Sequence, residues 1–162
     1  MSFKISSLPK SQFEHLFHLS TDELASQGAM RMTATKKPGF PCRVSLSDAG
    51  IGEEVILAHY EHQTANSPFR ASHAVYVRPG AEQSHLEADE VPEQLRTRIL
   101  SLRGFDGVGM LIEADLADGL AIEPAIESVF KNPSVSYIHV HFAKPGCYAA
   151  RIDRARSVNS AV

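Results

Sequence analysis

The stretch SVSYIHVHFAKPGCYAARI, from Ser134 to Ile152, carries the clearest structural pattern in the chain. Its first half alternates between two kinds of side chain, which predicts a strand with two different faces. Lys-Pro-Gly at 144–146 predicts a tight turn, and the residues after it predict a second strand. We therefore expect a β-hairpin whose core-facing residues are Ile138, Val140 and Phe142.

Alternating patterns extend outward from this hairpin along most of the chain. They predict strands in EVILAHYEH, HAVYVRPG, VGMLIEADL and a segment beginning near Arg98, with shorter extended pieces at SFKIS, AMRMTAT and CRVSL. We expect about seven strands. The strand at 109–116, a helix at 121–131 and the strand at 135–142 can form one crossover unit, although the order of strands does not follow from the sequence.

Helical spacing occurs at three places. A longer helix near 121–131 is predicted by apolar residues at helical intervals, namely Ile122, Ala125, Ile126, Val129 and Phe130. Two short N-terminal helices are predicted in LPKSQFEHLFHL and in STDELASQG, where Ser20 and Glu23 form a capping box and Gly28 a stop. One helical turn is expected near Pro92. The fold class is therefore α+β, built on a mostly antiparallel or mixed β-sheet.

Length and composition indicate one domain and exclude several classes of function. The 162 residues favour a single globular domain over 1–155, with a frayed tail at 156–162. A formal net charge of -3 and scattered basic residues argue against a nucleic-acid partner. No apolar run approaches the roughly 18 residues of a membrane span. Two cysteines do not make a disulfide framework, so we expect a cytoplasmic protein with free thiols.

His139 and His141 lie on the same face of the predicted strand, about 7 Å apart at ~3.3 Å per residue. This geometry suits two ligands of one divalent metal ion, a polar cleft, or two hydrogen-bonded histidines on a half-exposed sheet. A metal would need further ligands, for which the candidates are Cys147, Cys42, His73, His62 and Glu61. None lies at a diagnostic spacing, so no cofactor is assigned from the sequence.

The same hairpin carries the candidate catalytic residues. Histidine can act as acid or base near neutral pH, which makes His139 and His141 candidates. Cys147 follows the turn and can act as a thiolate nucleophile if the imidazoles assist it. The alternative is that Cys147 is a simply buried residue.

A second group of polar residues lies in YEHQTANSPFRASHAVYVR, where a loop joins two predicted strands. Arg70 can bind a carboxylate or phosphate, and His73 follows it. Arg43 and Arg151 are further candidate ligand-binding residues beside predicted strands. Lys-Pro-Gly precedes a cysteine and an arginine at both 37–43 and 144–151, which we interpret as repeated turn chemistry.

Taken together, KPGFPCRVSL, YEHQTANSPFRASHAVYVR, LSLRGFD and IHVHFAKPGCYAARIDRA resemble the bacterial proteins grouped as domain-of-unknown-function 1203 (DUF1203). The resemblance runs from about Phe3 to Ala155. It implies a small single-domain bacterial protein. It implies no reaction, substrate or cofactor, so no site residue is transferred from it.

Three functions remain open at this point, and the sequence does not decide whether the protein is an enzyme. The favoured one is a cleft that binds, and can transform, a small polar or anionic metabolite through histidine and arginine side chains. The second is a metal-dependent hydrolase with His139 and His141 as ligands. The third is a non-enzymatic interaction protein that forms a homodimer through a sheet face or edge.

Overall fold

The computed structural model describes residues 1–156 of the chain. This part contains eight strands and three short α-helices. The strands are β1 (Phe3–Ser6), β2 (Met30–Thr33), β3 (Glu54–Gln63), β4 (Ala71–Val77), β5 (Ile99–Phe105), β6 (Leu111–Asp118), β7 (Tyr137–Phe142) and β8 (Tyr148–Arg154). The helices are α1 (Thr21–Ser26), α2 (Glu93–Arg96) and α3 (Ile122–Phe130), with 3-10 turns at Lys10–Gln12, Glu14–Leu16 and Gly119–Ala121.

The strands form two sheets, whereas the sequence predicts one. Sheet A has the order β1-β8-β7-β5-β6, and sheet B has the order β2-β3-β4. Every pairing between neighbouring strands is antiparallel. The predicted α+β class is confirmed, and all of the described residues belong to one compact unit.

One face of sheet A packs against α3 and forms the larger core. It buries the three residues that the β7 alternation predicts, Ile138, Val140 and Phe142. The helix contributes all five residues of its predicted apolar face. Pro124 lies in the first turn, where its missing N–H removes no helical hydrogen bond.

The predicted crossover unit is present, with one strand inserted. Because β5 lies between β6 and β7 and is antiparallel to both, β6 and β7 run parallel to each other. The connection between them passes through α3 across one face of sheet A. At its start, Gly119 N donates to Arg98 O at 2.9 Å, and a side chain at Gly119 would overlap the carbonyl oxygen of Leu95 in α2.

Sheet B packs one face toward sheet A and the N-terminal segment. Ile56 and Ala58 of β3 are buried there with Val75 of β4 and Tyr148 of β8. The N-terminal segment covers the same core with Leu8, Phe13, Leu16 and Leu24. The opposite face buries Val55 in a smaller cluster. The two sheets therefore enclose a layer of side chains between them.

The helix predicted over the LPKSQFEHLFHL segment is a pair of single 3-10 turns. Pro9 is extended and Phe13 departs from helical geometry between the two turns, so the i to i+4 ladder does not form. The buried pair Phe13 and Leu16 are three residues apart, which matches the 3-10 period. The next helix is confirmed: Ser20 Oγ accepts from Glu23 N at 3.1 Å, and Gly28 follows with φ of 70°.

Three shorter expectations have separate outcomes. CRVSL is not a strand; only isolated bridges, Pro41 to Asp48 and Cys42 to Tyr76, occur there. The turn near Pro92 is present as α2. Arg156 is the last described residue, so the predicted tail lies almost wholly outside the described part.

Among the described helices, none is long and apolar enough to cross a membrane.

Candidate functional site

Three histidines from β3 and β7 meet between the two sheets. His62 lies next to the end of β3, and His139 and His141 alternate along β7. One ring nitrogen of each lies within 4.8 Å of the others. We call His62, His139 and His141 the histidine cluster. Only His62 is partly exposed, whereas His139 and His141 are 3% and 1% exposed. The half-exposed sheet face, one of the three alternatives left open from the sequence, is therefore not what the structure shows.

Two irregularities in strand pairing lie beside the cluster. The pairing of β3 with β4 skips His62, since Glu61 pairs with Ser72 and Gln63 with Ala71. The pairing of β7 with β8 shifts between Val140 and His141. A bulge bends the strand and re-aims the side chain of the extra residue. The bulge at His62 thus accounts for its ring turning toward β7.

His73 of β4 extends the cluster toward solvent. Its Nδ1 lies 2.7 Å from Nε2 of His62, and the two rings are within 4° of parallel. In the neutral pair one nitrogen donates and the other accepts. If Nε2 of His62 donates, Nδ1 of His62 keeps its lone pair and faces the interior.

His141 has its proton position set by the turn after β7. Its Nδ1 lies 2.9 Å from the carbonyl oxygen of Gly146. A carbonyl only accepts, so Nδ1 carries the hydrogen and donates, which leaves Nε2 with a free lone pair. Metal-bound histidines characteristically donate their other ring N–H to a carbonyl or carboxylate in this way.

Two buried ring nitrogens of the cluster have no partner among residues 1–156. They are Nδ1 of His62 and Nδ1 of His139. A buried polar atom without a hydrogen bond costs about 1–3 kcal/mol, so folded proteins rarely leave one unsatisfied. A metal ion bound between the rings would satisfy lone pairs that no protein donor reaches.

Burial keeps the histidines neutral at physiological pH. It lowers the pKa of His139 and of His141 to about 3, and that of His62 to about 4. Burial also lowers the pKa of His73, and the charge of Arg103 adds to the effect on all four rings. Neutral imidazole is the form that binds metals, so protons do not compete at pH 7.

Aromatic rings enclose the cluster on its inner side. Tyr148 lies parallel to His62, with ring centroids 5.0 Å apart and planes within 12°. The same ring meets His139 edge-on at 5.1 Å. Phe105 contacts His139 from β5, at 5.2 Å. These contacts fix the rings and exclude water from the deep side of the cluster.

Arg103 is a cation beside the histidine cluster. No acidic side chain of the described chain pairs with it. It pairs across strands with His139 and makes one weak hydrogen bond, from Nε to Ser101 Oγ at 3.4 Å. Burial lowers the pKa of its guanidinium. Four neutral rings beside an unpaired cation form a region that attracts anions.

The structure places the candidate residues from the sequence in different surroundings. His73, His139 and His141 come together. Arg43 and Cys147 contact each other instead, with Nη2 to Sγ at 2.9 Å. Arg70 is exposed, with Nε 2.8 Å from Glu61 in an ion pair.

Arg151 also lies in an ion pair, with Asp153, and its guanidinium covers the ring of Tyr137 at 4.2 Å. Of the proposed additional metal ligands, only His62 joins His139 and His141.

Arg103 and Tyr148 are not among the candidate site residues that the sequence indicated. Alternation places Arg103 on the Ser101 side of β5, away from Leu100 and Leu102, but its position beside His139 depends on the pairing of β5 with β7, which the sequence does not give. No signal in the sequence indicated that Tyr148 would lie against His62, because that contact joins two separate sheets.

A family model described as "Protein of unknown function (DUF1203)" matches residues 39–154. No curated protein and no solved structure matches the chain. The matched span contains the whole histidine cluster and Arg103.

Proposed function

The chain belongs to the DUF1203 family, and from its geometry we propose that it is a metal-binding protein whose divalent transition-metal ion is held by His62, His139 and His141. The observation that carries the proposal is the convergence of three neutral imidazoles, with ring nitrogens within 4.8 Å, in a buried space. The free lone pair of His141 and the two partnerless nitrogens support it.

The ligand chemistry favours zinc and its neighbours over magnesium or calcium. Imidazole nitrogen suits Zn, Fe, Co, Ni and Cu, whereas Mg and Ca prefer oxygen ligands. The cluster offers no carboxylate. Three protein ligands leave at least one coordination position for water or substrate, which is typical of catalytic sites.

The second part of the proposal is that the bound metal acts on a small anionic ligand. Neutral ligands leave the full charge of the ion uncompensated, and Arg103 adds another positive charge. A carboxylate or phosphate can balance both. A bound metal lowers the pKa of its water toward neutrality and supplies a nucleophile, so the chemistry would be hydrolysis of a small anionic substrate held by Arg103.

Metal uptake tests the first part. The 162-residue chain is made without a histidine tag, stripped with a chelator and then incubated with zinc or cobalt. After gel filtration it is expected to retain about one ion per chain. Melting temperature should rise with added metal, because a ligand at 1,000 times its Kd adds about 4 kcal/mol. Protein that retains no metal and melts unchanged in its presence would exclude the site.

Replacing one ligand should weaken this uptake. His62→Gln is the suitable variant because His62 is the most exposed member of the cluster. We expect its zinc affinity to fall about 100-fold or more, since even second-shell changes cost 10–100-fold. His18→Gln, on the exposed N-terminal segment, is the control and should bind as the parent does. Equal loss in both variants would point to nonspecific surface binding.

Arg103→Met tests the anion separately from the metal. The variant should still bind cobalt. Its affinity for phosphate or acetate, read from the visible spectrum of the bound cobalt, should be about tenfold weaker, because a hydrogen bond to a charged group contributes about 1.5–3 kcal/mol. Arg70→Met is the matched control, since Arg70 pairs with Glu61 outside the cluster. Unchanged anion titration in Arg103→Met would contradict a role for this cation.

Hydrolysis is tested by activity that depends on the metal. Small phosphate and carboxylate esters are offered to zinc-loaded protein, chelated protein and His62→Gln. Turnover should appear only in the first. Turnover that survives the chelator would assign the activity to another site.

A further inference from the structure

A cavity of about 430 Å³ lies where the turn after β7 meets the 37–43 segment and the start of β5. Its volume falls in the range of small-molecule sites, about 300–1,000 Å³. The lining includes Pro41 and Arg43 from one Lys-Pro-Gly segment and Lys144 and Cys147 from the other. The two similar sequence segments therefore contribute to the same cavity. The histidine cluster is not part of its lining.

The lining is cationic. It contains Arg43, Arg98 and Lys144, and no acidic side chain of residues 1–156 belongs to it. Asp48 lies just outside and pairs with Arg98, with Nη2 to Oδ2 at 2.8 Å. This offsets one positive charge and leaves Arg43 and Lys144 without a counter-ion among residues 1–156.

Arg43 is the strongest feature of the cavity because it is charged and only 1% exposed. Its donors reach neutral acceptors: Nε to Tyr148 O at 2.8 Å and Nη1 to Pro41 O at 2.6 Å. Its third contact is Nη2 to Cys147 Sγ. Buried arginines are usually paired with an acid, and the described chain provides none here.

An apolar wall faces these charges. Two guanidinium groups lie over the ring of Phe142, with Arg43 Cζ at 4.9 Å and Arg98 Cζ at 4.8 Å from its centroid. Tyr76 and Ile99 also line the space. A ligand that fits both features has one anionic group and an apolar body.

We propose that this cavity binds a small organic anion, such as an aromatic carboxylate or a phosphate monoester, with its charge toward Arg43 and Lys144 and its body against Phe142. Cys147 Sγ then lies beside the anionic group of the ligand. This site is independent of the metal proposed above. A failure of metal binding leaves it standing, and the experiment below uses chelator-treated protein.

Alkylation of Cys147 by a charged and an uncharged reagent tests the proposal. The thiol sulfur attacks the CH₂ carbon of iodoacetate, the S–C bond forms, the C–I bond breaks, iodide leaves with the electron pair, and the thiol proton goes to solvent. Iodoacetamide reacts identically without the negative charge. Peptide mass spectrometry separates Cys147 from Cys42, which is fully buried and is an internal control.

We expect the rate of Cys147 modification to saturate with increasing iodoacetate concentration. The ratio of the iodoacetate rate to the iodoacetamide rate should be about tenfold higher for Cys147 than for N-acetylcysteine, because a cationic cleft concentrates anions. Benzoate and inorganic phosphate should slow the iodoacetate reaction, because they compete for the same cations. A ratio equal to that of the free thiol, without saturation, would overturn the proposal.

Lys144→Gln removes one exposed cation and should bring the ratio close to that of the free thiol. Lys131→Gln changes an exposed lysine at the end of α3; it is the matched control and should leave the rate ratio unchanged.

If Cys147 reacts with neither reagent, 4-fluorobenzoate decides the question by ¹⁹F NMR. Line broadening with the parent chain that disappears in Lys144→Gln supports the site, and an unbroadened line with the parent refutes it.

Discussion

Lowering the pH from 6 to 5 is expected to reduce the free energy of unfolding by about 1.4 kcal/mol per pH unit for each of His139 and His141. Their pKa values are about 3 in the folded chain, against the ordinary 6.5. Above pH 7 both residues are neutral in either state and have no effect. Below 6.5 the unfolded chain binds protons that the folded chain refuses until about pH 3, so stability falls with pH.

Urea unfolding of chelator-treated protein at pH 7.0, 6.0, 5.5 and 5.0 measures this slope. His139→Gln, which cannot bind the proton in either state, should flatten the slope by the contribution of one histidine. Exposed His18→Gln should leave it unchanged. A free energy of unfolding that is flat from pH 7 to pH 5 would mean that the cluster is open to solvent and protons.

Gly119→Ala is expected to lower the free energy of unfolding by about 3 kcal/mol, the upper end of the cost of overpacking. The new Cβ would overlap Leu95 O and lie 2.8 Å from the Arg96 carbonyl carbon, both backbone atoms of α2. Relief requires α2 to move away from the start of the α3 crossover. Leu95 is fully buried, so that movement also opens the larger core.

The matched control is Gly107→Ala in the turn between β5 and β6. There the nearest atom to a new Cβ is Ser136 Oγ at 3.6 Å, an ordinary contact. We expect a change within about 0.5 kcal/mol. Equal urea midpoints for both variants would show that the close approach at Gly119 is absorbed without cost.

Local pattern was sufficient for the parts of the fold whose burial repeats along the chain. The spacing of Ile122 to Phe130 predicted α3, and the alternation in β7 predicted which of its side chains face the core. Such patterns reflect the packing of a single helix or strand against a single core. The paired 3-10 turns near Phe13 escaped prediction because apolar spacing alone does not separate three from 3.6 residues per turn over so short a segment.

The candidate site depended on information that local pattern does not carry. His139 and His141 were evident, and His62 was among several possible partners, but its selection required a second sheet and a bulge. Arg70 and His73 are close in sequence and yet differ in surroundings. Arg70 is exposed and pairs with Glu61, whereas His73 contacts His62 of the histidine cluster.

The position of β8 has a consequence for biosynthesis. This strand lies between β1 and β7, although it is translated after the seven other described strands. A nascent chain that lacks residues 148–154 leaves β1 without its partner and β7 with an open edge, and it exposes the histidines that Tyr148 covers. Open edges favour aggregation. The inner side of the histidine cluster therefore closes only after β8 has been translated, and the proposed metal site is complete only from that point.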